Sequence, residues 1–100
     1  MLHGQTLAAT GSITGTVADS TGAALPEARV KARNEDTFGV LTAKTGPDGR
    51  FYFFTLPIGS YTLRVEKPGF TGVMVSRFLL SVGEVSVHEI QLPAFTASGQ

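Results

Sequence analysis

Turn-forming clusters interrupt this chain about every ten residues, and that spacing constrains its fold more than any other feature. The breaks fall at DSTGAALPE (19–27), NEDTFG (34–39), GPDG (46–49), PIG (57–59), PGF (68–70) and Gly83-Glu84. Each is rich in the Gly, Pro, Asp and Asn that turns require. The runs between them alternate apolar and polar residues, and none holds a helical period for ten residues. A chain punctuated in this way predicts short strands and turns, arranged as an all-β, seven-stranded antiparallel β-sandwich of Greek-key type.

The strands follow from the phase of each run. SITGTVA (12–18) places Ile13 and Val17 on one face, with Gly15 between them. ARVKARN (28–34) sets Ala28, Val30 and Ala32 against Arg29, Lys31 and Arg33. VLTAKT (40–45) is the third strand. RFYFFTL (50–56) is the fourth, with Phe51 and Phe53 on one side and Tyr52 and Phe54 on the other. SYTLRVEK (60–67) carries Tyr61, Leu63 and Val65 in phase, and TGVMVSRFLLSV (71–82) makes a sixth strand with a break near Arg77. In EVSVHEIQL (84–92), Val85 and Val87 share one phase while Ile90 and Leu92 share the other, which predicts a bulge near His88 and Glu89. Residues 1–11 read as a loose lead-in, 12–93 as the domain and 94–100 as a linker. The small, polar ends are those expected of a piece of a longer protein, its start a remnant of a cleaved leader.

Charge and cysteine content narrow the function. Eight basic residues balance eight acidic ones, so a bulk positive surface for nucleic acid is not expected. Cysteine is absent, which excludes disulfides and thiolate metal sites and leaves the redox compartment open. No apolar run approaches the ~18 residues of a membrane-spanning helix.

The spacing of several motifs carries a family resemblance. GTVADSTGAALPEARV, followed by TAKTGPDGRFYFFTLPIGSYTLRVEKPGF, resembles the carboxypeptidase regulatory-like domain, a sandwich related to transthyretin and to Cna B-type modules. The resemblance implies an accessory domain of a longer chain, fused to a metallocarboxypeptidase, to a surface protein, or to the N-terminus of a TonB-dependent outer-membrane receptor. It implies a location in the bacterial envelope, at the periplasmic face of the outer membrane or the cell surface. It also implies partners in the remainder of the parent chain (plug, barrel or neighbouring modules), a periplasmic protein, or a glycan.

The candidate sites are few. Asp48, with Asp19 or Asp36, offers too few oxygens for calcium, which wants six to eight, and reads as a turn former. His3 lies in the lead-in and His88 stands alone in the last strand. The chain ends TASGQ and so lacks the Tyr-Arg-Gly-Ser signature of the hydroxyisourate hydrolases that share the transthyretin fold. An internal Lys–Asn cross-link of the Cna B kind lacks both partners, since the first strand holds no lysine and the last no asparagine; Glu66 is one residue out of the Y-x-L-x-E phase. No catalytic residue, metal site or cofactor is therefore expected. Two surfaces remain. The row Arg29, Lys31 and Arg33 reads either as a solvated face that discourages edge pairing or as a contact for an anionic partner such as an acidic polysaccharide or lipopolysaccharide. The outward pair Tyr52 and Phe54 is either covered by another segment or forms an interaction patch.

Overall fold

The computed structural model describes residues 9–95, and no helix occurs among them. The strands are β1 (Thr10–Asp19), β2 (Arg29–Asn34), β3 (Val40–Lys44), β4 (Arg50–Pro57), β5 (Gly59–Glu66), β6 (Val73–Leu80) and β7 (Val85–Leu92). They form two sheets, in spatial order β4-β1-β7 and β3-β2-β5-β6. One pair departs from the antiparallel pattern: β1 and β7 run parallel, from Ser12 opposite Val85 to Asp19 opposite Leu92. β7 reaches β1 after crossing over from the other sheet, so no tight hairpin dictates its direction.

The inward residues of both sheets make the core. Ile13, Val17, Phe51 and Leu92 from one sheet meet Val30, Leu63, Val65 and Leu80 from the other, all fully buried. The rings of Phe51 and Phe53 meet edge to face at 6.0 Å. Tyr61 is also buried, and its hydroxyl is fully employed: it donates to Pro57 O at 2.6 Å and accepts from Asn34 Nδ2 at 3.1 Å. Thr45 closes the core at the other end. Its Oγ1 donates to Leu25 O at 2.6 Å and accepts from Ala28 N at 2.9 Å, tying the β1–β2 loop to the end of β3. No buried side-chain polar atom is left unpaired among the described residues, as a stable interior requires.

The Pro47-Asp48-Gly49 turn is local in its bonding. Gly49 N donates to Gly46 O at 2.9 Å, Arg50 N donates to Asp48 Oδ1 at 3.0 Å, and Gly49 sits at φ +77°. The turn does not close a hairpin within one sheet, because β3 and β4 lie in different sheets. It hands the chain across the sandwich. At Gly49 a Cβ would also meet Val17 O at 2.6 Å, so the position demands glycine for both conformation and space.

Bulges fall where the phase has to change. Opposite β1, strand β4 carries an extra residue at Phe54–Thr55, with Thr55 at φ +61°. That insertion turns Leu56 back into the core beside Phe53. A second register shift places an extra residue at Ser76–Arg77 of β6, where the sequence suggests a break. The bulge expected at His88–Glu89 is absent. β7 keeps one unbroken register with β1, and the inward residues are Ser86, His88, Ile90 and Leu92. Val85 and Val87 therefore face outward.

Backbone pairing reaches slightly past both ends of the 12–93 run. Thr10 and Gly11 belong to β1, opposite Pro57 and Leu56. Ala94 bridges Phe70, and Phe95 N donates to Gly69 O at 3.0 Å, so the chain stays attached past Leu92. Residues 1–8 of the proposed lead-in and 96–100 of the proposed linker lie outside the described residues.

Candidate interaction faces

β4 is an edge strand, and its outward side chains have no strand above them. Tyr52 is 48% exposed and Phe54 68% exposed. Their rings stack on one another at 5.5 Å and 16° between planes. Register extends this pair into a face. Thr14 of β1 lies between Tyr52 and Val87, and Ser12 lies between the Phe54–Thr55 bulge and Val85. Val85 and Val87 are 59% and 67% exposed. The outer face of the three-stranded sheet is thus an aromatic edge and a valine edge, separated by hydroxyl side chains. Sequence phase alone placed the aromatics outward but hid the valines behind a bulge that does not form.

Arg29, Lys31 and Arg33 lie on β2, on the outer face of the opposite, four-stranded sheet. The two sets of candidate residues are therefore not one site; the sandwich separates them. Arg33 holds an ion pair with Glu35 at 3.7 Å and lies 5.0 Å from the centre of the Phe38 ring. Glu66 is also on this outer face, opposite Arg29 and paired with Arg64 at 3.6 Å, while Val65 takes the inward slot.

The acidic residues serve their own loops. Asp19 Oδ1 accepts from Thr21 N, Thr21 Oγ1 and Ala23 N, at 2.9, 2.6 and 3.0 Å. Those bonds hold its carboxyl below the usual carboxylate range, the Thr21 hydroxyl contributing most. Asp36 Oδ2 accepts from Ser60 N at 3.1 Å, and Asp48 Oδ2 meets Arg50 at 3.6 Å. Among the described residues, no three His, Cys, Asp or Glu side chains are placed to hold a metal ion.

His88 sits at the edge of the core. Its Nε2 is 2.9 Å from Ser86 Oγ, and its ring is 4.5 Å from that of Phe78. Burial pushes its pKa below the ordinary 6.5, with the charge of Glu84 opposing. A folded state that resists protonation loses stability as pH falls below the unfolded value, until the depressed folded value is passed. Urea midpoints should therefore drop between neutral and mildly acidic pH, and His88→Gln should flatten that part of the profile. A difference between the two profiles that does not change with pH would contradict this account.

The comparisons with known proteins fit this geometry. The pattern of the carboxypeptidase regulatory-like domain matches residues 12–93. The chain belongs to that family. A comparison with curated proteins gives no significant match. Among solved structures, the regulatory-like domain described here is similar to part of the TIE protein of Bacillus anthracis, at 26% identity and a TM-score of 0.68; the match covers 85% of this chain and 17% of that one. It is similar to a putative carbohydrate binding protein of Bacteroides uniformis, at 21% identity and a TM-score of 0.67, covering 83% and 41% of the two chains. It is also similar to the catechol 1,2-dioxygenase of Acinetobacter radioresistens, at 12% identity and a TM-score of 0.72, covering 93% and 54%. The last two likenesses are of fold alone. The chain spans well under two-thirds of each of these proteins.

Proposed function

We propose that this regulatory-like domain is a non-catalytic accessory module of a bacterial envelope protein, the periplasmic N-terminal extension of a TonB-dependent outer-membrane receptor. Its role is docking against the rest of its own chain, plug or barrel or adjacent module. The observation that carries this reading is the outer face of the three-stranded sheet. Tyr52, Phe54, Val85 and Val87 are exposed there on a closed, well-packed sandwich that has no structural need of them. Large apolar side chains held outward on a rigid sheet are what a neighbouring module needs to bind without rearrangement.

The test compares the parent protein with the 100-residue chain. Amide exchange around Tyr52–Phe54 and Val85–Val87 should slow at least about tenfold in the parent, and Tyr52→Ser with Phe54→Ser should abolish the difference. Equal exchange in the two contexts would defeat docking. The parent coding sequence tests the receptor assignment: a leader upstream and alternating strands of about ten residues downstream are expected. A peptidase domain or wall anchor would overturn it.

The stacked ring pair favours one second reading, a sugar-stacking surface on a carbohydrate-binding or adhesive stalk module. Saturable binding in a neutral-glycan screen, lost on Tyr52→Ala with Phe54→Ala, would favour it over docking.

A further inference from the structure

The chain is neutral as a whole but electrically divided. Two depressions of about 850 and 420 Å³ lie on the outer face of the four-stranded sheet, and they share Arg64 and Met74 as lining residues. Together they form one trough. Of the eight Lys and Arg residues, only Arg50 lies outside it; of the eight Asp and Glu residues, only Glu27, Glu35 and Glu66 line it. The trough therefore carries four net positive charges, and the remainder of the chain four net negative ones.

The arrangement is a grid rather than a scatter. Outward side chains repeat about every 6.7 Å along a strand, and neighbouring strands lie about 4.8 Å apart. On that grid Arg29 stands opposite Lys44, and Lys31 opposite Arg64. Like charges directly opposite each other destabilise a sheet; Glu66, paired with Arg64 and opposite Arg29, offsets part of that cost, while Lys31 and Lys44 have no ion pair among the described residues to offset theirs. Guarding a sheet edge does not account for it. β2 and β5 are the interior strands of their sheet, and an edge device belongs on β3 or β6. Arg29, Lys31, Lys44 and Arg77 have no ion-pair partner among the described residues.

We propose that this trough binds a linear acidic polysaccharide, with successive carboxylates bridging the opposed cations. An anion seated between Lys31 and Arg64 relieves their repulsion, and the guanidinium forks of Arg29, Arg33 and Arg64 suit carboxylates taken two bonds at a time. Met74, opposite Arg64 and exposed, offers an apolar rest for the C–H face of a sugar between charged positions. A nucleic acid strand would want several aromatic rings interleaved with the cations for its bases; this trough has Phe70 in its lining and Phe38 beside Arg33, and the stacked pair Tyr52 and Phe54 lies on the other sheet. The proposal does not depend on docking through that other sheet.

The experiment is calorimetric titration of the chain with oligogalacturonate at about 20 mM salt, where exposed charges are least screened. Saturable binding that weakens with added salt is expected. Lys31→Gln with Arg64→Gln should lower the affinity about tenfold, while Arg50→Gln should leave it unchanged. All of these positions are outward, and circular dichroism should show the variants folded. Absence of binding at low salt, or equal affinity in the Lys31–Arg64 double variant, overturns the proposal. So does equal or tighter binding of poly-L-glutamate, single-stranded DNA or anionic lipid vesicles, each of which would assign the trough to a different partner.

Discussion

Replacing Phe51 by Ala should cost about 3–5 kcal/mol, a large part of the margin of an ordinary small domain. The ring is almost wholly buried, packs edge to face on Phe53, and lies against the backbone of β1 at Gly15. The cluster to which it belongs draws on strands of both sheets, which limits how far the surroundings can collapse into the space. A drop in the thermal midpoint on the order of 20 °C is expected for a chain of this size. Phe54→Ala, at the residue next to the buried Phe53 but outward on the same strand, serves as the control and should change stability by less than about 0.5 kcal/mol. Equal losses at the two positions would contradict the inward and outward assignment of β4.

The second large effect comes from adding atoms. Gly15 lies in the central strand of the three-stranded sheet, inward, between Phe51 on β4 and His88 on β7. A Cβ there would collide with the backbone carbonyl of His88 and would come within 2.7 Å of Phe51 Cζ. The ring could shift, but the carbonyl could not without parting β7 from β1. Gly15→Ala should therefore cost about 3 kcal/mol or more, at or above the upper end of ordinary overpacking. Combining it with Phe51→Leu separates the two obstructions. Relief of the ring contact alone should recover less than half of the loss, and full recovery would show that the carbonyl contact is unimportant.

The strands were legible because turn chemistry and alternation agree along most of the chain. Asp48 and Gly49, Pro57 and Gly59, and Pro68 and Gly69 mark the breaks, and the inward rows from Ile13 to Val65 follow from a period of two. β7 was misread for a physical reason. Its first two inward slots are filled by Ser86 and His88, which satisfy each other and need only half-burial. Apolarity there pointed to the wrong face, and Val85 and Val87 were lost from the candidate surface. The Phe54–Thr55 bulge left one trace in the sequence: Leu56 falls out of phase with Phe53.

The charge division was less legible still. Arg29, Lys31 and Arg33 form a row visible in one strand, but Lys44, Arg64 and Arg77 join them only through strand pairing and sheet order. A neutral total concealed the separation. Charge counted along a chain says how much there is, and register says where it gathers.

The parallel pairing of β1 and β7 has a mechanical consequence. The chain comes in at Thr10 beside the start of β7 and leaves past Leu92 beside the end of β1, so its two ends emerge from opposite ends of the sandwich. Tension applied through the flanking chain pulls these two strands past one another along their length. The rungs from Ser12–Val85 to Asp19–Leu92 then bear the load together, in shear, and cannot be peeled apart one at a time. A domain threaded in this way transmits a pull between whatever precedes and follows it, and the seam that resists is the one joining its first strand to its last.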